Sequence, residues 1–370
     1  MNRKLRIGLM GLAAKPIPMV GGNICAPHEI VYDIAKGLTK KGHEVTIFSG
    51  EDSSNEIKTI CASLNSAWTE FGPENENLVE YTARRIEYDL ILSTEAIKMF
   101  KSGELDIINC HDFRTSPYLF AQAGAKALYS VHGALKNHQT SYDRYRYKMM
   151  ASAELGVLSM SHENEEVAKD LGLTSYGYTP NGIDVNKFQF SENNRDGILV
   201  VARMIPIKRI KESIDAALSA GESITLIGPE APGKENSEYF KSLKDEYFVK
   251  DNVTYLGYKS QEEILPYYQR AKALLYLSKH EGMPMTVLEA MSSGLPVIAS
   301  PVGGVKDIIE DGVDGILIDH DSEEGLSESI KKVSEISNKK CREKIEKKFS
   351  IEAMVDSYEA AYYNFLKVAR

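Results

Sequence analysis

Cysteine is scarce in this 370-residue chain: Cys25, Cys61, Cys110 and Cys341 are the only four. They lie far apart with no CxxC pair, so neither a zinc site nor a disulfide framework is indicated, and a reducing compartment is the simplest setting. Long apolar runs are also missing, since no stretch approaches the ~18 residues of a membrane span. The start, Asn2-Arg3-Lys4-Leu5-Arg6 followed by Ile7–Ala14, faintly imitates a signal peptide. Its apolar part is short and runs straight into Lys15-Pro16-Ile17-Pro18, so a first buried strand accounts for it better. A cytoplasmic protein is expected, with room for peripheral contact with the inner face of a membrane. Positive charge is not in excess. The net charge of −9 argues against nucleic acid as the main partner, while leaving room for a local basic site. There is no GxGxxG fingerprint, which counts against an NAD enzyme. There is no short-period repeat and no low-complexity segment.

What is present is a regular alternation. Strands are expected at Leu5–Leu12, Glu44–Phe48, Asp106–Cys110, Ala127–Val131, Gly156–Met160 and Ser175–Tyr178. A second set is expected at Gly197–Ala202, Ser223–Ile227, Val253–Leu256, Leu274–Leu277, Val297–Ser300 and Gly315–Ile318. Amphipathic stretches such as His28–Lys41, Ser116–Ala123 and Glu163–Leu171 fall between them. Repeated β-then-α order predicts an α/β protein with parallel sheets covered by helices on both faces. The length suits two domains. The boundary falls within Asp184–Asp196, where Val185–Phe190 gives way to the polar Ser191–Asp196, giving domains at 1–187 and 188–350. Leu326–Lys348 is charge-rich and reads as a solvated face, whereas Ile351–Leu366 carries apolar residues at helical spacing and must pack one face on something.

The most informative stretch is His280-Glu281-Gly282-Met283-Pro284-Met285-Thr286-Val287-Leu288-Glu289. An apolar strand precedes it and a helix begins in it, so Glu281 lies at a strand's C-terminal end and Glu289 along the helix after it, where open α/β sheets bind ligands. Pro284 suits a first helical position. The amides of Met285 and Thr286 would then be free at the positive end of the helix dipole, which attracts phosphate or hydroxyl oxygens. Two carboxylates can each accept hydrogen bonds from vicinal hydroxyls. The plain alternative is a capping residue and a solvated helix residue.

Other features gather around the same chemistry. Arg203 and Lys208 flank a proline turn after a strand. Together they could grip a diphosphate, Arg as a planar fork and Lys as a point charge, or form an ordinary basic loop. Gly21 and Gly22 follow the first strand and could bring backbone amides close to a phosphate, or be a flexible loop. His111-Asp112 and His132-Gly133 each end a strand. Such a histidine binds a hydroxyl, shuttles a proton, or merely packs. Pro180-Asn181-Gly182-Ile183-Asp184 is a turn at the domain junction that fits a hinge or a ligand contact.

Taken in order, these residues resemble the retaining glycosyltransferases of family 4, which have the GT-B fold. The resemblance runs along nearly the whole chain. It includes Gly21-Gly22, Gly42-His43-Glu44-Val45, His132-Gly133, Pro180–Asp184, Arg203 with Lys208, Ile227-Gly228-Pro229 and Leu256-Gly257. It continues through Glu281 with Glu289, Pro301-Val302-Gly303-Gly304, Asp311-Gly312 and Gly315. It implies two Rossmann-like domains facing across a cleft, the first on the acceptor side and the second on the nucleotide-sugar side, with the helix from Ile351 crossing back to the first. It implies hexosyl transfer from a nucleotide sugar, UDP-linked rather than GDP-linked, to a sugar, lipid-linked or small-molecule hydroxyl, in glycan, glycolipid or glycoside synthesis.

Residue by residue, the resemblance places Glu281 at the donor sugar with the amides after Gly282, including Met283, Met285 and Thr286. Glu289 falls to the ribose, Arg203 and Lys208 to the diphosphate, Gly21 and Gly22 near it, and His132 beside the reacting carbon. His111, Asp112, Asn181 and Gly182 are left as cleft or acceptor residues. No DxD-type loop stands in a convincing place, so no metal and no cofactor beyond the donor is expected. One departure is Pro284, where many members carry a residue with an N–H. This puts the sugar's identity in question. Other readings are a different GT-B activity on a nucleotide sugar, such as a 2-epimerase, or a non-catalytic nucleotide-sugar-binding protein. The basic, aromatic stretch Asn137–Lys148 suits either an anionic acceptor at a membrane surface or a solvated helix with aromatic packing.

Overall fold

A computed structural model describes residues 3–11, 15–19, 26–71, 78–137, 140–192, 195–318 and 325–367. Gly21 and Gly22 lie outside these residues. Seven strands belong to the first half of the chain: β1 (Arg6–Met10), β2 (Glu44–Phe48), β3 (Thr59–Ile60), β4 (Ile107–Cys110), β5 (Ala127–Val131), β6 (Gly156–Ser159) and β7 (Ser175–Tyr178). Six belong to the second: β8 (Ile198–Val201), β9 (Ile224–Ile227), β10 (Val253–Tyr255), β11 (Ala273–Tyr276), β12 (Val297–Ala299) and β13 (Gly315–Leu317). They form two sheets, in the orders β3-β2-β1-β4-β5-β6-β7 and β10-β9-β8-β11-β12-β13. The central pairings are parallel, as the βα alternation requires. β1, β4 and β5, and likewise β8, β11 and β12, are mostly apolar and buried, as strands of a parallel sheet covered on both faces are.

The chain divides into two compact units. One runs through Asn181 and takes back the helix Ile351–Leu366, and the other is Gly182–Ser350. The segment 182–187, assigned to the first half on sequence, belongs to the second. Its Ile183 bridges to Ser350 and donates its N–H to the Phe349 carbonyl, and the following Phe188 packs near Tyr268. The division falls just before the expected boundary because this short extended segment is held by backbone pairing at the far end of the second unit's sequence.

Two elements had no sequence signal. β3 is two residues long, too short for any alternation. The 24-residue helix Leu78–Lys101 buries Tyr81, Tyr88, Leu92 and Ala96 but leaves Val79, Ile86, Leu90 and Ile91 exposed, so its apolar residues do not trace a single stripe. The charge-rich segment after Leu326 is also less solvated than expected, since Leu326, Ile330, Cys341 and Ile345 are buried along its helices.

The helix Ile351–Leu366 is bound into the first unit by buried polar contacts as well as apolar ones. Tyr362 donates to Asn109 Oδ1 at 2.7 Å and Tyr358 to Ser130 Oγ at 3.2 Å. His43 accepts the Leu5 N–H on Nδ1, which leaves its Nε2–H to donate to Glu359 at 2.9 Å. The Gly42-His43 turn after the first helix is thus an anchor for the last one. Among the described residues no helix is long and apolar enough to cross a membrane.

Candidate functional site

In each sheet the chain reverses its direction of growth once, between β1 and β4 and between β8 and β11. Carboxyl ends of strands at such a reversal leave a crevice, because the connecting helices depart to opposite faces. The sequence-derived residues gather at these two places.

In the second unit, Arg203 and Lys208 follow β8 and Glu281 follows β11, its neighbour across the reversal. Lys208 Nζ donates to Glu281 Oε1 and, at 3.1 Å, to the Tyr276 hydroxyl. It also lies over the Tyr276 ring, 5.0 Å from its centre. The two charged side chains are 15% and 14% exposed, so the pair is largely shielded from water. Arg203 is exposed, and its guanidinium pairs with no carboxylate among the described residues. Burial, with Glu281 close by, pushes the Tyr276 phenol well above its ordinary range, so it stays a neutral donor and acceptor.

The helix Met285–Ser292 starts one residue later than expected. Pro284 is its N-cap, with extended backbone, and no side chain caps the end. Its first amides therefore remain available beside Glu281. Gly282 and Met283 are buried, while Met285 and Thr286 are half-buried at that end. Glu289 lies one turn into the helix. Its Oε1 accepts from Gln261 Nε2 at 2.9 Å and its Oε2 from the Tyr268 hydroxyl at 2.8 Å. Burial raises its pKa, against the pull of those two donors.

Two glycines explain how these loops approach so closely. Gly303 has φ of 52°, and a Cβ there would overlap the Glu281 carbonyl, while the next amide, Gly304, donates to the Gly282 carbonyl at 2.7 Å. A Cβ on Gly228 would overlap the Ala202 carbonyl, immediately before Arg203. The glycines after β9 and β12 thus hold the Arg203 and Glu281 loops in place.

In the first unit, β4 and β5 are adjacent and parallel, so His111 and His132 end side by side. His111 Nδ1 and His132 Nε2 are 2.7 Å apart, within hydrogen-bond distance. Burial holds both imidazoles neutral, His111 well below its usual range and His132 down to about 3, with His28 adding to the effect. Asp112, expected as a cleft residue, is instead turned inward. It is 4% exposed and bonded to Arg85 on the long helix at 2.6 Å, because a buried carboxylate needs a cation. Nearby Asp89 is 2% exposed, and burial together with Asp112 pushes it up to about 7. Asn181 and Gly182 are both buried and fall on either side of the division between the units.

Sequence reasoning missed Gln261, Tyr268 and Tyr276, which support Glu289 and Glu281, and Asn164, which supports the loop after His132. None belongs to a motif. Tyr276 lies inside an apolar strand, and Gln261 and Tyr268 lie on the helix before that strand.

Two Rossmann-like units with charged and polar side chains after their switch-point strands have the arrangement of the GT-B glycosyltransferases. The family profile "Glycosyltransferase Family 4" matches residues 29–187 and the profile "Glycosyl transferases group 1" matches residues 183–349. The chain belongs to the family 4 glycosyltransferases. N-acetyl-alpha-D-glucosaminyl L-malate synthase of Bacillus anthracis is 22% identical, over 98% of this chain and 98% of its own length. The sucrose-phosphate synthase of Thermosynechococcus elongatus superposes with a TM-score of 0.72 at 20% identity, covering 95% of this chain and 97% of the other. The Anabaena protein HepE, solved in complex with UDP, gives 0.71 at 17% identity over 96% and 98%.

Proposed function

We propose that the protein transfers a hexosyl residue from a UDP-sugar to an acceptor hydroxyl with retention of configuration and without a metal ion. The observation that carries this reading is the set at the second sheet's reversal: the Lys208–Glu281 pair, the exposed Arg203 and the helix end without a side-chain cap, with Glu289 one turn beyond. In this reading Arg203 and Lys208 take the diphosphate and Glu281 the hexose hydroxyls. Met285 and Thr286 supply amides, and Glu289 binds the ribose diol. The UDP complex of the fold relative HepE is in keeping with a UDP-linked donor. We assign His132 to the reacting sugar.

The chemistry follows from charge. The bond between the sugar's anomeric carbon and the β-phosphate oxygen breaks, and its electron pair leaves with the phosphate. Fixed cations and amides aimed at that oxygen stabilise the transition state by several kcal/mol, ~3 for each such group. The acceptor oxygen bonds to the anomeric carbon on the same face, and its proton passes to the departing phosphate. No side chain needs to act as nucleophile.

A panel of UDP- and GDP-sugars read by thermal shift tests donor binding, since a ligand that binds only the native state raises Tm. UDP release that requires an added acceptor, a product of retained anomeric configuration by NMR, and turnover undiminished by EDTA are the expected results. An inverted product would sink the mechanism, and a donor bound without turnover in any acceptor screen would sink the enzymatic reading.

A further inference from the structure

The histidine pair carries information that neither residue carries alone. Both rings are neutral, so one proton lies between His111 Nδ1 and His132 Nε2, 2.7 Å apart, and its owner fixes both tautomers. If His132 owned it, His111 would have to carry its own proton on Nε2. That atom is buried and has no hydrogen-bond partner among the described residues. A buried N–H with nothing to donate to is a rarer and costlier defect than a bare lone pair. His111 therefore owns the shared proton on Nδ1 and leaves Nε2 as the lone pair. His132 accepts on Nε2 and carries its single proton on Nδ1, which is not among the buried unpartnered atoms.

The surroundings hold this arrangement rigid. The His111 ring is stacked on Tyr358 of the last helix, with centroids 6.2 Å apart and planes within 9°. The His111 amide donates to the Met10 carbonyl at the end of β1. On the other side, Asn164 is 3% exposed and clamps the loop after His132. Its Nδ2 donates to the Gly133 carbonyl at 2.9 Å and its Oδ1 accepts from the Leu135 amide at 3.0 Å. His132 is half-buried, and His111 is its only side-chain hydrogen-bond partner among the described residues.

We infer that His111 is a positioning residue that locks His132 as its Nδ1–H tautomer, so that His132 serves the transfer as a hydrogen-bond donor and not as a base. This rests on the assignment of His132 to the reacting sugar. A donor there fits a reaction in which the leaving phosphate takes the acceptor's proton, because the imidazole is then asked only to stabilise oxygen lone pairs.

Two measurements test it. Long-range 1H–15N spectra of the intact protein, with signals assigned through His132→Gln and His111→Asn, report the tautomers directly. The expected result is Nδ1 protonated and Nε2 bare on both rings, and a protonated Nε2 on His132 would overturn the inference. For function, His111→Asn keeps an N–H where Nδ1 was, whereas His111→Leu keeps the bulk without a donor. His111→Asn is expected to stay within about threefold of the wild-type kcat. His111→Leu is expected to lose ten- to a hundredfold in kcat with KM for the UDP-sugar little changed, and its His132 should show a mixture of tautomers. Equal kcat in the two variants with equal folded fractions would overturn the role of His111. Full turnover by His132→Ala would instead overturn the reading of the site, a result distinguishable because the tautomer spectrum would stay as expected.

Discussion

The two switch points are built from opposite electrostatic materials. At the first, β4 and β5 end in imidazoles that burial keeps neutral, and an inward-turned Asp112 is neutralised by Arg85. At the second, β8 and β11 end in a retained ion pair with a spare guanidinium beside it. One topology therefore supports two kinds of site. What differs is how many cations the loops bring, because a crevice at strand ends supplies shape and open amides but no net charge. In the proposed reaction a leaving diphosphate calls for fixed positive charge, and among the described residues at the two reversals the Arg203 and Lys208 loop is the one that offers it. The first reversal offers directional hydrogen bonds.

The largest effect expected from this contrast is on turnover. Lys208→Ala should lower kcat by on the order of 10²–10³, the usual cost of one transition-state donor. His132→Ala should cost less, since a neutral donor is roughly half as strong as a charged one. Steady-state kinetics on both variants with a saturating UDP-sugar checks this, and a larger loss at His132 would break the contrast.

Next in size is a stability effect confined to the first unit. Asp89 rises from an ordinary 3.8 to about 7 on folding, so between pH 4 and 7 the native state holds more protons than the unfolded one. Stability must therefore fall as pH rises through that window, by up to ~4 kcal/mol for a shift of this size. His132, depressed to about 3, contributes the opposite slope between roughly pH 3 and 6.5. Asp89→Asn removes only the first term. Urea midpoints at pH 4.5 and 7.5 should show the variant gaining on the wild type at the higher pH. A constant difference would mean that Asp89 does not titrate there.

Glu289→Gln should weaken UDP binding by ~1.5–3 kcal/mol, the worth of hydrogen bonds to a charged group, and leave kcat nearly intact at saturating donor. Calorimetry with UDP alone measures it, and an unchanged affinity would remove Glu289 from the ribose. The smallest effect falls outside both sites. Tyr362→Phe takes a buried donor from Asn109 Oδ1 and should cost ~1–2 kcal/mol of unfolding free energy, read by urea titration, while turnover is unchanged.

How much of this could be read in the linear chain differs between the two regions. The Glu281 region was legible because its parts are close in sequence and each has a local cause. An apolar strand ends, a proline opens a helix, and two carboxylates fall one on each side of the helix start. The cations five residues apart after β8 were legible for the same reason. The supports were not. Gln261 and Tyr268 reach Glu289 across 28 and 21 residues, and nothing in a helix of that composition marks which residues face a distant carboxylate. Asp112 looked like His132, a polar residue at a strand's end, until Arg85 on an unforeseen helix drew it inward.

Local chemistry by itself determined the βα alternation, the two-sheet architecture, the positions of Glu281, Arg203, Lys208 and His132 after strands, and that of Glu289 on the helix that follows. Periodicity, turn chemistry and charge act over a few residues and need no partner to be read. Tertiary structure alone decided that His111 and His132 share a proton, that Lys208 binds Glu281, and that Tyr358 and Tyr362, near the end of the chain, sit behind the histidine strands. The physical reason is that a proton's owner or an ion's partner depends on angstrom-scale distances between strands and helices remote in sequence. Those distances are set by sheet order and packing, which no window of neighbouring residues encodes.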